Sequence, residues 1–263
     1  MSRKFKIVKL ILSKSILDEN SIHIILSLYW DLLPKKKTLL EWIPLDKLNW
    51  NNLSGNKNAI DLLKDNIDKI NWKYLACNSN AIGLLTQNYD KINWKVLSKN
   101  KNAIELLTLN QDKINWQYLS SNKNAIELLA QNLDKIDWDL LSENINAIEL
   151  LKQNYDKINW TVLSSNKNAI VLLEQNIDKI NWSLLSSNYY AIELLTTNQD
   201  KIDWNILSLN INAIELIYNN IDKIDLSMLS YNKNAIEILK QQKIDWKILS
   251  RNPSIFEDER MPI

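Results

Sequence analysis

Apolar positions along most of this chain fall into two short clusters separated by polar turns. The first cluster is a Trp and a Leu at i and i+3, as in Trp72 and Leu75, which is one face of a short helix. The second is Ala81, Ile82, Leu84 and Leu85, an i, i+1, i+3, i+4 stripe that predicts another short helix ending near Asn88. The residue before the Trp is always Asn or Asp (Asn71, Asn93, Asn115, Asp137), an exchange tolerated by an N-cap that needs only a side-chain oxygen. Helices this short do not persist alone in water, so neighbours must hold them.

The pair recurs at a fixed interval. Trp50, Trp72, Trp94, Trp116, Trp138, Trp160, Trp182 and Trp204 are spaced 22 residues apart, the signature of a stacked repeat array. Eight full units run from Trp50 to Asp225. The ninth starts with Leu226 in place of Trp and is two residues short, and a half-unit runs from Trp246 to Phe256. The pattern predicts an all-α fold: an α-solenoid of about nine 22-residue repeats of two short helices over residues 38–256, with a non-repeating N-terminal cap at 1–37 and a tail at 257–263. The shortened ninth unit predicts a kink after residue 240. Within the cap, Ser21 to Leu33 reads as a helix opened by Asp18-Glu19-Asn20 and closed before Pro34. A β-hairpin with Phe5 to Leu12 is the alternative. Leu17-Asp18-Glu19 followed by Ile24-Ile25-Leu26 resembles an F-box, which implies an adaptor role in ubiquitin ligation.

Two further columns of asparagine behave unlike the caps. Asn78, Asn100, Asn122, Asn144, Asn166, Asn188 and Asn210 never become Asp, and neither do Asn66, Asn88, Asn110 and their equivalents. A position that refuses the isosteric acid needs the amide's donors and rejects a buried unpaired charge. Two asparagine ladders are therefore expected, satisfying backbone groups of the turns within a unit or across to the next. The column Trp72, Trp94, Trp116, Trp138, Trp160, Trp182 and Trp204 is expected to form inter-repeat core, each ring burying about 150–250 Å². Asp68, Asp90, Asp112 and their equivalents read as turn or cap residues, each followed by a Lys on a solvated edge.

Composition narrows the chemistry. The formal net charge is +1 with both signs interspersed, which gives no basic footprint for nucleic acid. A single cysteine, Cys77, excludes an internal disulfide framework and fits a reducing compartment. No apolar run approaches the roughly 18 residues of a membrane span, and Lys9 interrupts the apolar start, so no secretory signal is expected. The lone His23 has no Cys/His partners with which to build a zinc site, nor a second His beside a nucleophile. Two glycines cannot make a phosphate loop, and a uniform Asp column does not hold two carboxylates in different environments. No catalytic residue, metal or cofactor is expected, and the chain reads as a non-enzyme.

Binding should use the positions that vary while the frame stays constant. In the middle units these are polar, among them Lys99, Lys101, Ser121, Lys123, Glu143, Ser165 and Lys167. Toward the C-terminus they become Tyr189, Tyr190 (where Asn is usual), Leu209, Ile211, Tyr218 and Tyr231, a candidate protein interface. The unit Trp-x-x-Leu-Ser-x-Asn-x-Asn-Ala-Ile-x-Leu-Leu-x-x-Asn-x-Asp-Lys-Ile-(Asn/Asp) resembles the short tryptophan/asparagine repeats of giant-virus proteins, and Asn252-Pro253-Ser254-Ile255-Phe256 resembles their ending. The resemblance covers residues 38–256 and departs in carrying Lys, Ile, Ser or Tyr where those repeats often place Pro between the two turn asparagines. It implies a viral origin, a repeat-mediated binding role and a place in the host cytoplasm or the virion, and it brings no catalytic residues. The reading is a soluble scaffold for a host or viral protein partner, monomeric or weakly self-associating. A minor capsid or cement protein is the alternative, and the F-box-like adaptor is the second.

Overall fold

Each repeat begins where an Asn or Asp side chain turns back to cap a helix. Asn93 Oδ1 accepts from the Val96 N–H at 3.1 Å, Asn115 from Tyr118 at 2.9 Å and Asp137 from Leu140 at 3.0 Å. Either residue serves, because only the acceptor is used. The computed structural model describes Ser21, residues 37–242 and residues 246–256. His23, the F-box-like stretch and nearly all of the expected cap, the residues 243–245 that would carry the kink, and the tail 257–263 lie outside the described residues.

The fold is an all-α repeat solenoid with no strand among the described residues. A full unit contains the expected helix pair and one further element. In the Trp116 unit the first helix is Trp116–Ser120 and the second Ile126–Ala130, and a single 3-10 turn, Leu133–Lys135, then leads to the next unit. The chain divides into two compact units, Met1–Asn71 and Trp72–Ile263, a division that falls inside the array. In the first, the helices Trp50–Gly55 and Ile60–Lys64 and the 3-10 turn Ile67–Lys69 enclose Ala59, Leu63 and Ile70. The second repeats this arrangement from the helix Trp72–Cys77 onward.

The core is aliphatic. Leu97 and Leu119 of first helices, Leu107 and Leu129 of second helices, and Ala103 and Ala125 at the second-helix N-caps are all 0% exposed. Burying one such leucine contributes about 1.5–3 kcal/mol.

The tryptophans depart from expectation. From Trp50 to Trp204 each is half-buried and none belongs to the enclosed core. The ammonium 19 residues further on lies over every ring from Trp50 to Trp204 except Trp138: Lys91 over Trp72 at 5.2 Å, Lys135 over Trp116 at 4.7 Å, Lys223 over Trp204 at 4.8 Å. The lysine column remains at the solvated edge, as expected, and also covers the indole faces, worth about 0.5–1 kcal/mol per pair at an exposed site. In one unit Lys157 instead pairs with Asp156 at 3.0 Å. The aspartates sit in the middle of the 3-10 turns and cap nothing; the residue ahead of each turn is an asparagine of the second series.

Candidate interface on the turn ridge

The turn between the two helices of a unit is built by one asparagine acting in three ways. Asn100 C=O accepts from the Ala103 N–H at 3.0 Å, and Asn100 Oδ1 accepts from the Asn102 N–H at 3.1 Å, an Asx turn nested in a β-turn. Its Nδ2 donates to the preceding unit, to Ala76 C=O at 2.9 Å and Asn78 C=O at 3.1 Å. Asn122, Asn144, Asn210 and Asn232 repeat the pattern, while Asn166 and Asn188 keep one inter-unit bond each, to Ser142 and Ser164 C=O. These side chains are buried, Asn100 to 5% exposure and Asn122 to 3%. A carboxylate there would face carbonyls with no proton to offer. The other series donates inside its unit: Asn88 Nδ2 donates to Leu84 C=O at 2.9 Å and Asn132 to Leu128 C=O at 2.9 Å, closing the second helix. The Oδ1 atoms of Asn110 and Asn176 also reach across, accepting from Tyr89 and Tyr155 Oη of the preceding units. One ladder crosses between repeats; the other finishes each repeat.

A serine column that the sequence reading passed over completes the frame. Ser98 Oγ donates to Trp94 C=O at 2.8 Å and accepts from the Asn115 N–H of the next unit at 3.0 Å. Ser120, Ser142, Ser164 and Ser186 do the same, and all are 0% exposed. The available signal was the recurrence of Leu-Ser in every unit but one, where Ala76 stands.

With the frame accounted for, the variable side chains project from the turns. Tyr189 is 46% exposed, Tyr190 62%, Leu209 38% and Tyr231 43%, and Ile211 is half-buried beside them. They occupy three successive turns, tied by Asn212 Nδ2 to Tyr189 C=O at 3.0 Å and Asn234 Nδ2 to Ile211 C=O at 2.8 Å. Tyr231 Oη accepts from Arg251 Nη1 at 3.1 Å. Tyr218 belongs elsewhere: it ends the helix Ile214–Tyr218 and lines an apolar groove of about 480 Å³ with Ile214 and Ile238. The structure thus gathers five of the six candidate residues on one ridge and sets Tyr218 apart from them.

Upstream the same ridge is basic. Lys99 Nζ lies 4.3 Å and Lys95 Nζ 5.4 Å from the Tyr118 ring. Away from the ridge, the Lys157 ammonium holds the Asp156 carboxyl below its usual range through their hydrogen bond. Among the described residues no group of three or more His, Cys, Asp or Glu is placed to hold a metal ion, and no helix is long and apolar enough to cross a membrane. Cys77 is exposed at the end of the helix Trp72–Cys77. Comparison with protein-family models, curated proteins and solved structures gives no match.

Proposed function

We propose that this chain is a non-catalytic repeat scaffold that binds a partner protein along its turn ridge. The observation that carries the reading is a division of labour among positions. The leucines, alanines, serines and first turn asparagines that recur from unit to unit are buried, whereas the turn residues that change between units stand exposed or half-buried. In the C-terminal units the changing residues are aromatic and aliphatic, the side chains that anchor protein interfaces. The resemblance of the repeat to giant-virus repeats makes the cytoplasm of an infected cell, or the particle itself, the setting in which to seek the partner.

The test is site-specific photo-crosslinking in cells, with the crosslinker placed at Tyr190 on the ridge or at Glu127 on an exposed helix face. Discrete adducts from position 190 that Tyr189→Ser/Leu209→Ser abolishes support the reading. Equal or absent crosslinking at the two positions removes it.

A further inference from the structure

The turn ridge carries a third set of amides, and ahead of the terminal half-unit, where Ser254 stands, this set is broken once. The second turn asparagine of each unit donates to the turn before it. Asn102 Nδ2 reaches Ser79 C=O at 2.8 Å, Asn124 reaches Lys101 at 3.0 Å, Asn146 reaches Lys123 at 2.9 Å and Asn168 reaches Ile145 at 2.8 Å. The series resumes with Asn212 to Tyr189 C=O. At the missing rung stands Tyr190, with no amide to give to Lys167 C=O. Its own N–H still bonds Asn188 Oδ1 at 3.1 Å, so the turn itself is unchanged. The frame has exchanged one rung for an exposed aromatic face beside a main-chain acceptor, with Lys167 Nζ 5.4 Å from the ring.

The side chains along that line change character in order: Lys101, Lys123, Ile145, Lys167, Tyr189, Ile211. Among the described residues the ion pairs engage Lys64, Lys152, Lys157 and Lys240, all off the ridge; Lys101, Lys123 and Lys167 form none. An open groove of about 460 Å³ runs over the turns just before Tyr190, lined by Lys123, Glu143, Ile145 and Lys167. Helix layers stack about 8–10 Å apart. Three residues of polyproline-II chain, at about 3.1 Å each, cover one such step and complete one turn. Every third side chain returns to the same face, whereas a β-strand alternates with period two. A peptide lying along the ridge therefore meets a new rung at every third residue.

We propose that the ridge from Lys101 to Ile211 binds a segment of a partner protein in polyproline-II conformation with period-three chemistry. Carboxylates face Lys101, Lys123 and Lys167, apolar side chains face Ile145, Tyr189 and Ile211, and a main-chain N–H of the partner takes the place of the missing amide at Lys167 C=O. A uniform polyanion fits less well, because Glu143 and the apolar rungs interrupt the lysines. The inference rests on the scaffold reading and names the class of partner for the same surface.

The experiment measures fluorescence anisotropy of labelled peptides against the full chain. The probes place Asp, Asp, Leu, Asp, Leu, Leu at every third position, in either chain direction, with a control of the same composition spaced at every second position. At least tenfold tighter binding of one period-three peptide, and tenfold weakening by Lys101→Glu/Lys123→Glu, are expected. Tyr190→Asn, which restores the rung, should raise the melting temperature and weaken the peptide; a purely structural tyrosine would leave peptide affinity unmoved. Equal binding of the control overturns the inference, as does displacement by a single-stranded oligonucleotide that is indifferent to Tyr190→Asn. If the peptides fail while crosslinks at position 190 persist, this inference falls and the scaffold reading stands. If both fail, both fall.

Discussion

Two substitutions of identical shape should have opposite consequences in this chain. Asn122→Asp removes the donors to Ser98 C=O at 3.0 Å and Asn100 C=O at 3.2 Å, while the bond accepted from the Asn124 N–H survives. Asn100 C=O retains the Ala103 N–H, but Ser98 C=O is left without a donor, which costs about 1–3 kcal/mol. The new carboxylate at a site 3% exposed faces carbonyl oxygens with no counter-charge. Together these should bring the loss to about 3–5 kcal/mol, the range for an uncompensated buried charge. Asn115→Asp keeps the one bond that its side chain accepts, from the Tyr118 N–H at 2.9 Å, and places negative charge at a helix N-terminus. Its effect should lie between neutral and about 1 kcal/mol stabilising. Urea midpoints at constant slope measure both. Burial raises the new carboxyl's folded pKa above its unfolded value. The penalty of Asn122→Asp is therefore present at neutral pH and shrinks as pH falls through the folded value, where the protonated group can donate. Midpoints for the two variants that agree within about 0.5 kcal/mol would refute the reasoning, since such a difference is ordinary for surface changes.

Other consequences can be measured separately. Ala76 is the one gap in the serine column, so Ala76→Ser should supply an acceptor for the Asn93 N–H and stabilise by about 0.5–1.5 kcal/mol; an unchanged melting temperature would count against the column's role. Gly83 lies inside the helix Ile82–Gln87, and a Cβ there would meet nothing within 4 Å. Gly83→Ala should therefore stabilise by about 0.5–1 kcal/mol in the same melt. The Asp156 carboxyl should titrate below the ordinary carboxylate range by NMR and return to it in Lys157→Gln. The stabilisation linked to that lowered pKa is present above the unfolded value and lost as pH falls through the folded one.

How much of this was legible before the coordinates depends on which physical constraint left a mark. The helix caps were readable because Asn and Asp interchange at positions such as Asn115 and Asp137, where only an acceptor is used. The ladders were readable because Asn100 and Asn88 admit no acid, although sequence could not say that the first series donates to the preceding unit and the second donates within its own. The 3-10 turns left no mark, since three residues such as Leu133–Lys135 are too few to show a period. The tryptophans misled because spacing fixes a helix face but not the layer that face meets. Leucine and alanine fill the interior, and the indoles lie at its edge under lysine. On the ridge, the exposed residues were found by their variability, whereas the missing rung at Tyr190 required knowing what its neighbours bond.

The most direct measurement is hydrogen exchange at the asparagine side-chain amides, followed by NMR. If stacked units are joined by these amides, the Nδ2 protons of Asn100, Asn122, Asn144 and Asn232 should exchange far more slowly than those of the exposed Asn205 and Asn219. Exchange at one common fast rate for both groups would contradict the account.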